Sequence, residues 1–101
     1  MKYDIEVDQD LKEFIPIFKE NRQKDIEALK LALAEKDQEK IQFIGHSLKG
    51  VGSGYGFVEV TNIGQVIEAK AKENAMGDIK LLITQLEDYM THVKITYVEE
   101  D

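Results

Sequence analysis

Residues 41–55 read IQFIGHSLKGVGSGY, and this stretch decides how the chain should fold. On a helix, where each residue turns the chain by about 100°, its apolar side chains fall on one stripe at spacings of three and four, as in a helix packed on a core. The members of the stripe are Ile41, Ile44, Leu48, Val51 and Tyr55. His46 lies about 180° from the centre of the stripe, so its imidazole should point into water.

The outward face of this predicted helix carries further residues near His46. Lys49, Gly50 and Ser53 follow it by three, four and seven positions, and residues at these spacings are neighbours on a helix surface. Phe43 lies at the border of this face, where it either contacts a partner or is an ordinary aromatic at the edge of the buried stripe. The sequence therefore predicts an exposed imidazole beside an ammonium group and a bare stretch of backbone.

The composition favours a single soluble helical domain. The chain has 101 residues, of which 43% are hydrophobic and 33% charged, and only one is proline. The net charge of −7 argues against nucleic acid and anionic membrane as partners, because both select basic surfaces. There is no cysteine, and no apolar run approaches the roughly 18 residues of a membrane span. We expect a cytoplasmic monomer, and the initial Met and acidic end suit a small free-standing chain.

Four amphipathic segments are separated by short polar stretches. Residues 1–8 alternate like a strand but have no evident partner, so we interpret them as a lead-in that packs on the helices. The predicted helices span about 10–35, 37–55, 58–74 and 78–98. The sequence therefore predicts an all-α fold, an antiparallel up-down four-helix bundle with or without a short extra N-terminal helix.

Three residues mark the expected starts of helices. Pro16 interrupts the first apolar pattern, so we expect a short helix to end near Phe14 and Pro16 to open a long one. Asp37 and Asp78 are the predicted N-caps of the second and last bundle helices, because a short acidic side chain accepts hydrogen bonds from the free amides of a first turn.

Glycine is unusually frequent in the central helix. Gly45, Gly50, Gly52 and Gly54 each cost up to about 1 kcal/mol of helix propensity relative to Ala. Close approach by another backbone is the usual reason for a glycine inside a helix. Gly54 and Gly56 also offer left-handed positions where the helix should end.

The segment His46-Ser47-Leu48-Lys49-Gly50, followed by Gly52, Gly56 and Phe57, resembles the signature of histidine-containing phosphotransfer (HPt) domains. The resemblance covers nearly the whole chain. It implies a four-helix bundle that carries a phosphoryl group on a histidine and exchanges it with the aspartate of response-regulator receiver domains. Such domains do not bind or hydrolyse ATP. The resemblance therefore implies a phosphocarrier without kinase activity of its own and without a bound cofactor, with Mg²⁺ on the partner receiver.

The resemblance also implies roles for the residues of the outward face. His46 would be the phosphoacceptor, Lys49 would neutralise the phosphoryl group, and Gly50 would let the receiver dock. Phe43 and Ser53 are predicted to contribute to the docking surface. The partner would be a receiver domain, either free-standing or part of a hybrid sensor histidine kinase.

The third helix departs from the family pattern at one position. Many members place a Gln there, facing the histidine, whereas this chain has Glu68. Glu68 could accept the proton of the ring nitrogen that is not phosphorylated, which would fix the tautomer, or it could be a plain surface glutamate. Gly64, one turn earlier, is predicted to let the two helices approach closely.

Two readings from other functional classes remain open. One is an HPt-like bundle that acts only as a protein-interaction module, against which the intact His46 and Lys49 argue. The other is a metal- or cofactor-binding bundle, which needs several inward His or Glu ligands. The chain has only one further histidine, His92, which we expect to face solvent, so we predict no metal site.

Overall fold

The computed structural model describes residues 3–99, which form four α-helices, two short 3-10 helices and two strands. In chain order they are strand β1 (Tyr3–Asp8), a 3-10 helix (Gln9–Phe14), α1 (Ile15–Ala34), α2 (Gln38–Val51), a second 3-10 helix (Ser53–Tyr55), α3 (Val58–Lys72), α4 (Met76–His92) and strand β2 (Val93–Val98). The predominance of helix agrees with the sequence prediction.

The four helices surround one apolar core. Helix α2 contacts α1 and α3, and α4 contacts the same two helices from the other side. The side chains of Ile41, Ile44 and Leu48 on α2 are buried, as the stripe predicts. Burying a side chain of this size contributes roughly 1.5–3 kcal/mol, so the stripe holds α2 with its opposite face towards solvent.

The central helix is shorter than predicted. It ends at Val51 instead of near residue 55, and residues 53–55 form a 3-10 helix. The amide of Phe57 donates to the carbonyl of Gly52, and the amide of Ser53 donates to Thr61 Oγ1, so these amides do not continue the helical ladder. Gly56 then reverses the chain with a φ of 87°, which a residue with a side chain rarely adopts. The left-handed position predicted at Gly56 is confirmed, but the one predicted at Gly54 is wrong, because Gly56 alone among the glycines of residues 3–99 has a positive φ.

The two ends of the described chain form a parallel two-stranded sheet, and two predictions are corrected here. Residues 93–98 were predicted to be helical but form β2, and residues 3–8 of the predicted lead-in form β1, whose partner is β2. Their alternating β-branched and aromatic side chains suit a strand with one face on the core. Val7, for example, is 1% exposed. Residues 1–2 of the predicted lead-in lie outside the described residues.

The predictions of where the helices begin are confirmed in part. Asp37 is the N-cap of α2, and its side chain accepts from the amide of Lys40. Asp78 is not a cap, because α4 already begins at Met76; its carboxylate instead lies 3.6 Å from Lys70 Nζ. Pro16 is the second residue of α1, directly after the short 3-10 helix. No helix within residues 3–99 has both the length and the apolar character needed to cross a membrane.

Candidate functional site

The imidazole of His46 stands on the solvent-facing side of α2. Its side chain is 68% exposed, in agreement with its position opposite the buried stripe. Only one side chain of the neighbouring helix reaches it within hydrogen-bond distance in the described structure. That side chain is Glu68 of α3, whose Oε2 lies 2.9 Å from His46 Nδ1.

Glu68 joins the imidazole to a lysine. Its second carboxylate oxygen, Oε1, lies 3.7 Å from Lys49 Nζ, so one carboxylate contacts both groups. The Glu68 side chain is only 14% exposed, whereas that of Lys49 is 45% exposed. Of the triad formed by His46, Lys49 and Glu68, the carboxylate is therefore the most buried member.

The carboxylate of Glu68 is ionised. Burial acts to raise its pKa, but the hydrogen bond and charge of His46 and the charges of Lys49 and Lys72 act in the opposite direction and outweigh burial, so the pKa of Glu68 lies below its usual value. An ionised carboxylate can only accept hydrogen bonds, so Nδ1 of His46 must donate. The lone pair of the neutral ring is then on Nε2, which points away from Glu68.

Two glycines bring α3 close enough for this contact. A Cβ at Gly64 would lie 2.6 Å from both the Leu48 Cβ and the Lys49 backbone nitrogen, and a Cβ at Gly45 would lie 2.8 Å from the Glu68 backbone nitrogen. Such distances are too short for real Cβ atoms. The side chain of Glu68 thus reaches His46 because the backbones of the two helices are nearly in contact.

The other glycines of the central segment differ among themselves. A Cβ at Gly52 would lie 2.6 Å from the Thr61 backbone nitrogen, so close packing explains Gly52 as well. Gly50 and Gly54 have no neighbouring atom within 4 Å of such a Cβ. For Gly54 the expectation of close helix packing is wrong, whereas the open space at Gly50 agrees with its predicted place on the outward face. Gly50 leaves an open surface one turn from His46.

The remaining predicted docking residues lie at the two sides of His46. Phe43 is 70% exposed and lines a shallow recess together with Glu39, Gln42, His46 and Glu68. Ser53 is exposed, but it belongs to the 3-10 helix after α2 instead of to α2 itself, and its amide is bound to Thr61.

His92 is remote from this group in the fold. It is the last residue of α4, and its Nδ1 contacts Asp88 of the same helix, at 3.0 Å from Oδ1 and 2.9 Å from the backbone carbonyl. Within residues 3–99 no group of three His, Cys, Asp or Glu side chains is placed to hold a metal ion.

Sequence reasoning missed two features of the site. It did not foresee that Glu68 contacts Lys49 as well as His46, or that Glu39 and Gln42 line a recess beside the imidazole. A signal for the recess was present, because Glu39 precedes Phe43 by four positions and must share its helix face. The contact with Lys49 depends on the closeness of α2 and α3, which spacing along one helix does not reveal.

The site combines a largely exposed imidazole, a mostly buried carboxylate that contacts Nδ1 of the ring, and a lysine beside that carboxylate. An exposed imidazole with a cation nearby suits the reversible transfer of an anionic group. Comparison with protein families agrees with this geometry. The model of the family described as "Hpt domain" matches residues 13–95, most of the chain, including every residue of the triad. Comparisons with curated proteins and with solved structures give no match. The chain therefore belongs to the Hpt domain family, as the His46 segment predicts.

Proposed function

We propose that His46 accepts a phosphoryl group from the aspartyl phosphate of one receiver domain and passes it to a second receiver. Membership of the Hpt domain family implies histidine phosphotransfer in phosphorelays in general. The observation that carries the specific proposal is the arrangement of His46, whose Nδ1 lies 2.9 Å from Glu68 Oε2 while its side chain is 68% exposed. No other histidine of the described chain has a cation as near to its carboxylate partner.

The transfer requires little chemistry from this chain. Nε2 attacks phosphorus, the bond from phosphorus to the aspartate oxygen breaks, and a bond from phosphorus to nitrogen forms. The receiver supplies Mg²⁺, and Lys49 contacts the transferred oxygens on this side, where positioning and electrostatics do most of the work. The chain is a phosphocarrier and not a kinase, and it needs no cofactor of its own.

The docking surface surrounds His46 on both sides. Gly50 provides clearance, because nothing lies within 4 Å of its missing side chain. Phe43 provides an apolar contact, and its ring is 70% exposed on the same face of α2. Ser53 lies at the far edge of this surface. Gly50, Phe43 and Ser53 together would accept the flat surface of a receiver around the reacting atoms.

The bundle itself presents this surface. An up-down antiparallel arrangement is supported by contacts whose order reverses between helices: Gly45 lies against Glu68, and Gly52 lies against Thr61. We expect the chain to act as a monomer in the cytoplasm. The expected partners are response-regulator receiver domains, either free-standing or part of a hybrid sensor histidine kinase.

The decisive experiment compares wild type with His46→Gln. Each protein is mixed with a panel of radiolabelled phospho-receivers, and acid-labile, alkali-stable label is measured on the small chain. We expect label on wild type with at least one receiver and none on His46→Gln. Binding of receivers without label on any histidine would instead support the alternative function, an interaction module that has lost transfer. Label on the variant as readily as on wild type would end the proposal.

A further inference from the structure

A groove runs between α1 and α4, on the side of the bundle away from His46. Helix α1 contacts α4 and helix α2 contacts α3, so this α1–α4 groove is opposite the pair of helices that positions the imidazole. The groove has a volume of about 380 Å³, and the residues that line it are Lys30, Leu33, Ala34, Lys80, Ile83 and Thr84. We propose that the α1–α4 groove binds one amphipathic helix of a partner protein while His46 stays accessible. The inference goes beyond the proposed function and does not depend on it.

Both helices present the same sequence pattern to the groove. Residues 29–34 read LKLALA, and residues 79–84 read IKLLIT. On each helix a lysine is followed, three and four positions later, by an aliphatic and a small side chain that line the groove. Residues at these spacings lie on one helix face. Ile83 is 3% exposed and Leu33 is partly buried against the core, so the groove has an apolar floor between two lysines.

Two leucines widen the apolar surface on either side of the groove. Leu31 precedes Ala34 by three positions, and Leu81 precedes Thr84 by three, so each leucine is the helix-surface neighbour of a lining residue. Their side chains are 53% and 71% exposed. An apolar side chain exposed singly needs no explanation, but these two flank a groove with an apolar floor. A helix seated in the groove would remove the floor and both leucines from water.

The charges at the two ends of the groove are opposite in sign. At one end Lys30 Nζ lies 2.8 Å from Glu87 Oε2 and 3.8 Å from Glu27 Oε2, so two carboxylates share one ammonium group. Lys80 lies two turns before Glu87 on α4, which is about 10 Å along the helix. No carboxylate within residues 3–99 forms an ion pair with Lys80. A helix in the groove is therefore complementary when it places a carboxylate at Lys80 and a cation at the shared carboxylates.

The shape of the surface favours a single helix over a second copy of the chain. Two grooves placed face to face would enclose a void between their floors, whereas the ridge of one helix fills the space between two others. Each copy also carries a net charge of −7, which opposes self-association. An anionic membrane surface is unfavourable for the same reason. The occupant is thus a helix with an apolar stripe, a carboxylate at one end of the stripe and a cation at the other.

The test uses two synthetic helical peptides of about 15 residues. Both carry Leu at i, i+3, i+4 and i+7, the spacing of a helix that lies in a groove. The Glu–Lys peptide has Glu at one end of the Leu stripe and Lys at the other, whereas the Lys–Lys peptide has Lys at both ends. Calorimetry measures the affinity of the full chain for each peptide, and NMR chemical shifts of the chain locate the bound peptide.

Reversing the charge of Lys80 should reverse the preference between the two peptides. We expect wild type to bind the Glu–Lys peptide about tenfold more tightly than the Lys–Lys peptide, and Lys80→Glu to show the opposite order. The control is Lys19→Glu, which reverses an exposed lysine on the same side of α1, about 16 Å before Lys30, and should keep the wild-type preference. A folding defect would weaken the binding of both peptides without exchanging their order.

Removing one flanking leucine tests the apolar contact. Leu81→Ser should weaken binding of the Glu–Lys peptide about tenfold, because this side chain is exposed in the free chain and covered in the complex. Val58→Ser on α3, which changes an exposed apolar residue outside the groove, should leave the affinity unchanged. We expect the NMR shifts to fall at residues 30–34 and 80–87. Phosphoramidate, a small phosphoryl donor, should phosphorylate His46 at the same rate with and without bound peptide.

Any of four results in the binding measurements would overturn the inference. They are no binding of the Glu–Lys peptide at about 1 mM, the same peptide preference in wild type and Lys80→Glu, NMR shifts centred on Phe43 instead of the α1–α4 groove, and sedimentation of the chain alone as a dimer that Leu81→Ser dissociates. A peptide that slows phosphorylation of His46 would likewise contradict the separation of the two surfaces. No receiver takes part in these measurements, so the inference and the proposed function are tested separately.

Discussion

Gly64 of α3 lies directly against the backbone of Lys49 on α2, so that even one added methyl group would meet the Lys49 nitrogen at 2.6 Å. The residue that supplies the cation of the site is thus fixed at its backbone by a glycine on the neighbouring helix. Glu68 is one turn beyond Gly64 on the same face. The spacing of the two helices and the geometry of the triad are therefore set by the same contact.

Substituting Gly64 by Ala should separate the two helices. Overpacking of this kind costs about 1–3 kcal/mol of stability, despite the higher helix propensity of Ala. We expect the free energy of unfolding in urea to fall by that amount and the hydrogen bond from His46 to Glu68 to weaken in NMR spectra. Gly77→Ala in the first turn of α4 is the matched control, because nothing lies within 4 Å of its Cβ position. A variant as stable as the control would contradict the close contact.

Lys49→Ala should fold normally and transfer slowly. The lysine acts on the charge of the phosphoryl oxygens. In the strongest cases, removing a group that stabilises charge in this way lowers the rate about 10²–10³-fold. Since this lysine is 45% exposed, we expect a smaller loss, of about tenfold. Lys24→Ala on α1, whose ion pair with Glu20 has the same 3.7 Å distance, is the control. Equal rates for the two variants at low and physiological salt would mean that Lys49 is an ordinary surface charge.

Gly50→Leu should leave the fold intact and weaken receiver docking. Leu favours a helix more than Gly by up to about 1 kcal/mol, and the space around Gly50 is open. The new side chain would occupy the clearance beside His46. We expect the melting temperature to stay the same or rise and receiver affinity, measured by calorimetry, to fall at least tenfold. The control Gly77→Leu also fills open space, but on α4. Receiver affinity within twofold of wild type would tell against the clearance role of Gly50.

The strand pair should contribute measurably to stability. Val7 of β1 is 1% exposed, and replacing it by Ala removes two buried methyl groups. We expect the free energy of unfolding to fall by about 2 kcal/mol. Chemical denaturation of Val7→Ala measures this cost. Glu6→Ala, on the exposed side of the same strand, should change stability by less than about 0.5 kcal/mol. If Val7→Ala is equally harmless, the strands do not form part of the cooperative unit.

Glu68 should make the folded state sensitive to acid. Its pKa is lowered in the folded protein, so its contribution is present above the pKa of an unfolded glutamate, about 4.3. The contribution is lost as pH falls through the lower pKa of the folded state. We expect the free energy of unfolding of wild type to fall more than that of Glu68→Gln as the pH is lowered from 5 to 3. A difference that stays constant over this range would mean that the pKa of Glu68 is the same in both states.

The sequence was most informative where a single helix decides the outcome. The stripe from Ile41 to Leu48 and the exposure of His46 follow from helical spacing alone. The cap at Asp37 likewise depends only on its own turn. These features are local, so a period of 3.6 residues is enough to predict them.

Features that join distant segments were missed or only partly foreseen. Residues 93–98 continue the apolar pattern of α4, but their alternating β-branched and aromatic side chains also suit a strand, and β1 beside them supplies the partner. The end of α2 at Val51 likewise depends on a residue of another helix, Thr61, whose Oγ1 accepts a hydrogen bond from the amide of Ser53. In the site, the ring-nitrogen contact of Glu68 was one of two open readings, and its contact with Lys49 required knowledge of how closely the helices pack.

The parallel sheet has a consequence for the order in which the molecule assembles. Its register joins Tyr3 to Val93 and Asp8 to Val98, so every paired residue meets a partner 90 positions away along the chain. Closing so long a loop costs entropy that short-range helical contacts do not. Folding is therefore expected to begin with neighbouring helices such as α2 and α3, which already place His46 beside Glu68, and the strands join afterwards. The contact between His46 and Glu68 therefore belongs to the early, local part of the fold, and the sheet forms after it.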